Sequence, residues 1–433
     1  MTLVEGAEAA TAAVPDRPLR RNRDFLLLWS GASLSFLAAR VTAVAYPLIV
    51  LWHTGSPLAM SVVSTAALLP LLLVQLPAGA LVDRWDRRRL MLVCEAGRLT
   101  AVGSVALALA AGRMTVAHLA AAAFVEASLA VFYRLAERGA VRNLVHPAHL
   151  SAALAQNEAR GRAAGLLGQP GGVLLQSAAR WLPFGFGVLG YLVSALSLLL
   201  IRKDFQQERP DRTAGNRMAD EVSEGMRWLW RQRFLRAALG YVAGTNVLFQ
   251  MLALALILRI KEAGLPSATL AVVVGIGGVG GLCGALAGGR IQRRTRQRTL
   301  LVGGAVAWTV LIGAMGFTSE PVLLGALYAG TGFVGAVFNV AAAVYQVRTT
   351  PDALQGRVAA TAGLIGSGTN ALGSFAGGVL LAVWGAETTV RAIAAAMAVL
   401  ALFAVVAPDL KGEITDDPTD TDTGTGTGTG TGG

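Results

Sequence analysis

Residues 79–89 read Gly79-Ala80-Leu81-Val82-Asp83-Arg84-Trp85-Asp86-Arg87-Arg88-Arg89. Two acids and four arginines interrupt sequence that is otherwise apolar on both sides. Before them runs Ala59–Val82, and after them Leu90–Ala111, whose only charges are Glu95 and Arg98. About 20 apolar residues are enough for a helix to cross a hydrocarbon core. The charged stretch therefore reads as a loop at a membrane surface, joining two spanning helices.

The same alternation continues outward in both directions. It predicts twelve helices: Phe25–Leu51, Ala59–Val82, Leu90–Ala111, Val116–Ala136, Leu150–Ala179, Trp181–Ile201, Phe234–Leu258, Ala268–Gly289, Leu300–Phe317, Pro321–Val344, Val358–Val383 and Val390–Ala407. The runs are continuously apolar rather than alternating, which fits spanning helices and not barrel strands. Composition agrees. Only 15% of the 433 residues are charged and 54% are hydrophobic, against about 25% charged in soluble chains. Soluble enzymes, nucleic-acid-binding domains and disulfide scaffolds are excluded on that ground. Cys94 and Cys283 have no zinc-type spacing, and the four histidines form no ligand pattern, so no metal or cofactor is expected. The first 24 residues contain Glu5, Glu8 and Asp16 and no apolar core, unlike a signal peptide.

The net charge of +11 is an orientation signal. Arginines and lysines crowd the first tail and every second loop: Arg84–Arg89, Arg134–Arg142, Arg202–Arg233, Arg290–Arg298 and Arg348–Arg357. The other loops hold only Arg113, Arg180, Arg259, Lys261 and Arg391. Both termini are thus expected in the cytoplasm of a multi-pass cell-membrane protein, and no nucleic-acid partner is needed to account for the charge.

The chain also repeats itself. GALV at Gly79 returns as GALA at Gly284, PAHL at Pro147 as PDAL at Pro351, and GGVLL at Gly171 returns at Gly377. One offset of about 205 residues relates all three, implying two six-helix halves with a site between them. The expected units are a tail 1–24, a bundle 25–201, a linker 202–233 with an amphipathic helix over Met218–Trp230, a bundle 234–407, and a disordered Thr/Gly tail 408–433.

The loop at Gly79 resembles the signature of the major facilitator superfamily, Gly-x-Leu-Ala-Asp-Arg-x-Gly-Arg-Lys/Arg. Gly79, Leu81, Asp83, Arg84, Arg87 and Arg88 match it, while Asp86 stands at the second glycine. The resemblance covers helices 1 to 12 and implies an alternating-access transporter. It also implies that Asp83 helps latch the halves on the cytoplasmic side. The second-half copy has Gly288 where that acid would be. Gly168-Gln169-Pro170-Gly171-Gly172 resembles the superfamily's antiporter motif, which is associated with efflux. A proline there is expected to bend the helix. Arg21–Trp29 and Leu144–Pro147 resemble the bacterial drug and siderophore efflux branch. That branch often places an acid in helix 1 where this chain has Ala39.

Ionisable residues at membrane depth are functional candidates. Glu126 lies mid-helix with no opposite charge nearby in sequence, and is the first choice for a proton site, with Arg40 as its partner. Glu95 and Arg98, three residues apart, are expected to pair. Tyr46, Gln75, Asn246, Gln250, Asn339, Tyr345 and Asn370 are candidate cavity residues. No phosphate-binding Gly-x4-Gly-Lys-Ser/Thr loop is present, which argues against an ATP-driven pump. Nor does any nucleophile–base arrangement suggest an enzyme. The expectation is a monomeric proton-coupled exporter of drug-like or natural-product molecules. An uptake carrier is the alternative, and a non-transporting scaffold or sensor a more distant one.

Overall fold

A computed structural model describes residues 18–82, 84–201, 203, 205, 227, 230, 233–295, 297–350 and 355–406. Asp83, the Met218–Trp230 stretch except 227 and 230, and both tails beyond these limits lie outside the described residues. The helices are α1 Arg23–Thr54, α2 Pro57–Leu73, α3 Gln75–Val82, α4 Arg87–Ala110, α5 Val116–Leu144, α6 Leu150–Ala178 and α7 Leu182–Leu200. They continue as α8 Arg233–Glu262, α9 Ala268–Arg294, α10 Gln297–Met315, α11 Pro321–Thr349 and α12 Gln355–Val406. Among the described residues, nine helices are long and apolar enough to cross a membrane.

Three local features reconcile this with the expected twelve passes. The second pass is split at Val74, between α2 and α3. Pro77 has no N–H to offer the Leu73 carbonyl four residues back, so the ladder breaks there. The fifth pass, α6, carries a polar first half and is too polar on average to be counted as apolar. The last helix is two passes run together, reversing at Gly385, whose φ of 72° is a left-handed conformation that glycine adopts without strain. α6 itself is continuous through Pro170.

The duplication is visible in packing. In each half, the fifth pass lies on the first through a ladder of two glycines one turn apart. Gly168 and Gly172 sit on α1, where a methyl at Gly172 would come within 2.6 Å of the Val41 carbonyl oxygen. Gly373 and Gly377 sit on α8, where a methyl at Gly373 would come within 2.5 Å of the Val247 carbonyl oxygen. Such close backbone approach is the use of small residues between membrane helices. The ladders pair Gly168 with Gly373 and Gly172 with Gly377. The true register is thus one residue away from the GGVLL match.

The halves meet through α2 against α12 and α6 against α9, two interfaces related by exchange of the halves. Ser61 meets Gly378, Leu72 meets Gly368, Leu166 meets Gly278, and Pro170 faces Gly275. All these contacts lie at mid-helix or toward one face of the molecule, the one bearing the Gly55 and Gly385 turns. There, residues 45–51 of α1 and 254–260 of α8 are buried on every side. Lys261 Nζ donates to the Leu51 carbonyl across the halves, and Glu262 accepts from the Ala386 N–H beside the Gly385 turn. Farther down α1 the same stripe opens: Pro47 and Val50 are buried, Ala43 and Arg40 exposed, and Phe36 partly so. A cleft between the halves is therefore closed at the turn face and open toward the arginine-rich face.

Candidate functional site

The first half encloses a polar network built from three helices around α1. Along α1, Ser35, Thr42 and Tyr46 fall at spacings of seven and four, which places them on one stripe. All three are buried, Tyr46 to 1%. The stripe faces α4, which brings Glu95 and Arg98, α5, which brings Glu126 and Tyr133, and α7, which brings Tyr191 and Ser194.

Glu95 is fully buried and Arg98 is 2% exposed. Glu95 Oε1 accepts from Ser35 Oγ at 2.7 Å and from Ser194 Oγ at 2.8 Å. Arg98 Nη1 donates to Ser35 Oγ at 2.8 Å and lies 3.4 Å from Glu95 Oε2. The expected pair forms, with a serine bridging its two members. Glu126, 5% exposed, is surrounded by hydroxyl donors. Its Oε1 accepts from Thr42 Oγ1 at 2.7 Å and from the Tyr191 hydroxyl, and its Oε2 accepts from the Tyr46 hydroxyl at 2.7 Å. The Arg98 guanidinium stacks over the Tyr191 ring at 4.0 Å, so one aromatic ring joins the Glu95–Arg98 pair to Glu126. Below this network, Glu137 of α5 pairs with Arg160 of α6 at 2.7 Å, both largely buried.

Two expectations need correction. Arg40 is not the partner of Glu126: it is exposed on another face of α1, over the Phe36 ring at 5.1 Å and against Gly168. Arg98 is the cation of the network instead. Tyr46 does not face the cavity: its ring packs edge-on to Phe184 at 5.1 Å and its hydroxyl belongs to Glu126. Gln75, Asn246, Gln250 and Asn370 are partly buried and Asn339 is exposed, and none has a side-chain hydrogen bond among the described residues. Asn246 lies beside Gly366.

Sequence reading missed Ser35, Thr42, Tyr133, Tyr191 and Ser194. A signal existed: hydroxyls at i and i+7 on α1, and at i and i+3 on α7, align with the acids on α4 and α5. Hydroxyls are common in apolar helices, so the pattern acquires meaning only once the helices are placed together.

In the signature loop, the residues around Asp83 brace the first half internally. Asp86 caps α4, accepting from Arg89 N at 2.8 Å. The aspartate in place of the glycine thus has a structural use. Arg88 donates to the Leu198 and Leu199 carbonyls at 3.3 and 3.0 Å, closing the C-terminal end of α7. Arg87 lies against Gly139 of α5, Arg84 is exposed, and Gly79 and Leu81 are partly buried on α3. In the antiporter-like stretch, Gly168 and Gly172 form the ladder, Gly171 faces open space, and Pro170 faces the second half.

Residues 28–368 match the family model described as Major Facilitator Superfamily. The multidrug efflux pump Tap of Mycolicibacterium fortuitum is 28% identical over 388 residues, covering 86% of this chain and 92% of that protein. The uncharacterized transporter YfiS of Bacillus subtilis is 26% identical, covering 85% of this chain and 89% of that one. Among solved structures, the nucleoside transporter NupG matches with a TM-score of 0.70 at 12% identity, over 90% of this chain and all of that one. A bacterial homologue of the lysosomal transporter Spinster, in an inward-facing conformation, matches with a TM-score of 0.69 at 13% identity, over 89% of this chain and 96% of that one. At such identities the structural likenesses speak to the fold alone.

Proposed function

The chain belongs to the major facilitator superfamily, and on that premise we propose that it is a proton-coupled exporter of drug-like small molecules, acting by alternating access. It is a multi-pass membrane transporter and not an enzyme. The export reading is supported by the near-full-length similarity to a multidrug efflux pump. By the positive-inside rule the arginine-rich face is cytoplasmic, with both termini. The closed turn face is then external and the cleft opens inward, the state in which an exporter loads.

The observation that carries proton coupling is the charge inventory of the buried network. Glu95 and Glu126 share one guanidinium, Arg98. An uncompensated charge is costly in a dry interior, so electrical balance of this cluster calls for one proton on the two carboxyl groups. Glu126 is the better place to load and release it. Its three donors are hydroxyls that can turn to accept as well as donate, whereas Glu95 is held by the arginine. Both hydroxyl-bearing helices that cage Glu126, α1 and α7, would shift together as the cleft changes sides.

Everted vesicles test the reading. Adding a transported compound is expected to dissipate a preset inward-acid pH gradient. A panel of drug-like compounds that leaves the gradient untouched, or net accumulation of those compounds by intact cells, contradicts export by antiport. Glu126→Gln is expected to remove proton coupling while the protein still reaches the membrane; unaltered coupling would show that Glu126 is not the site. We assign Asp83 the cytoplasmic latch. Asp83→Asn is expected to slow turnover severalfold with substrate binding unchanged, and wild-type turnover contradicts the assignment.

A further inference from the structure

Arg40, Arg134 and Arg138 of the first half belong to neither the polar network nor a helix cap. Arg40 lies on the stripe of α1 that is buried at Pro47 and Val50 and exposed at Ala43 and Arg40. It therefore stands in the wall of the open cleft. Arg134 and Arg138 are one turn apart on α5, the first partly buried and the second exposed, and α5 packs against α1, the helix that carries Arg40. Counting from the turn face at 1.5 Å per residue, Arg40 and Arg134 are at similar depths, roughly 21 and 27 Å.

Among the described residues, the acids of α4, α5 and α6 are engaged elsewhere. Glu137 is held by Arg160 at 2.7 Å, Glu158 by Arg162 at 3.3 Å, and Glu95 by Arg98. Among the described residues, Arg40, Arg134 and Arg138 have no ion-pair or hydrogen-bond partner. Cations gathered without counter-charge at membrane depth repel one another, and an anion placed between them removes that penalty. Asn246, Gln250 and Asn370 of the second half are neutral, so an anion in the cleft is drawn toward the first half. Phe36 beside Arg40 supplies an aromatic surface.

We propose that the cleft holds its cargo by an anionic group, a carboxylate, sulfonate or phosphate, between Arg40 and Arg134, with Arg138 at the entrance. The cargo class is then an amphipathic organic anion. This rests on the transporter reading above and narrows it. Guanidinium groups suit the role because they stay charged and grip such groups through two parallel bonds.

The probes are fluorescein, an anionic dye, and ethidium, a cation of similar size, with binding to the full-length protein followed by anisotropy. Arg40→Gln and Arg134→Gln are each expected to weaken fluorescein binding about tenfold or more. Arg40→Lys and Arg134→Lys should recover part of the loss, and a matched melting temperature controls for folding. Fluorescein binding unchanged in both glutamine variants, or wild-type preference for ethidium, overturns the proposal. Nanodiscs of phosphatidylcholine with and without phosphatidylglycerol separate cargo from lipid. If phosphatidylglycerol competes fully with fluorescein, a headgroup is the occupant and the cargo assignment fails. Everted vesicles distinguish the two levels: ethidium driving proton movement while fluorescein does not leaves the transporter standing and removes the anion class.

Discussion

Glu126 shows how far a single residue's surroundings can depart from its sequence neighbourhood. In sequence it is a lone acid; in the structure it accepts three hydroxyl hydrogen bonds and lies one tyrosine ring away from Arg98. The guanidinium is the keystone, because its removal leaves two buried carboxyl groups without a counter-charge. Arg98→Met is therefore expected to lower stability by about 3–5 kcal/mol, the range for breaking a buried pair by deleting one partner. Thermal unfolding in detergent measures it. If Glu95→Gln added to Arg98→Met restores the loss, the deficit is electrostatic and not a packing fault. The sequence placed Glu95 with Arg98 because three residues along a helix fix their proximity. It misplaced Arg40 because the relation between α1 and α5 is tertiary, and Arg40 and Glu126 are equally central in their own helices.

Element by element, length and apolarity located every pass within a few residues. Helices then run past their apolar cores: α5 extends to Leu144, eight residues beyond the expected Ala136, and so carries Arg138 on helix. What apolarity could not show was which glycines matter. Fifty-two are present, and the two ladders use four of them. Gly373→Val would push a side chain into the α8 backbone, where the first added carbon already comes within 2.8 Å of the Val247 Cα. Overpacking of this kind is expected to cost about 1–3 kcal/mol or more. Gly171, with nothing within 4 Å, is the control. Gly171→Ala is expected to be neutral or stabilising by up to about 1 kcal/mol through helix propensity. Melting temperatures that move in the reverse order would contradict the ladder.

On the scale of the whole molecule, the repeat predicted two related halves, and packing shows them joined by exchange-related interfaces. Their chemistry differs. The buried acids belong to the first half, while the second half supplies the residues that fasten the turn face, Lys261 and Glu262. No repeat could reveal that division, because each role depends on residues that have no counterpart at the matching position. Lys261 donates to a carbonyl in the last turn of α1, a charge-assisted bond at the negative end of a helix. Lys261→Met is expected to move the population toward the outward-open state roughly tenfold, equivalent to ~1.4 kcal/mol. Maleimide labelling of Ala43→Cys, in a Cys283→Ser background, reads this from the cytoplasmic side. Slower labelling than in the parent is the expected result, and an unchanged rate shows that the lysine does not hold the face shut.

The polar network has one further consequence, which concerns the order of synthesis. Every partner of Glu95, Arg98, Glu126 and Glu137 comes from α1, α4, α5, α6 or α7. The costly ionisable groups can therefore be sealed before a single residue of α8 leaves the ribosome, in keeping with N-terminal domains folding first. The nascent first half can wait in the bilayer with its buried network already closed, and the later half arrives to add the Lys261 bond to a Leu51 carbonyl that already accepts the Gly55 N–H.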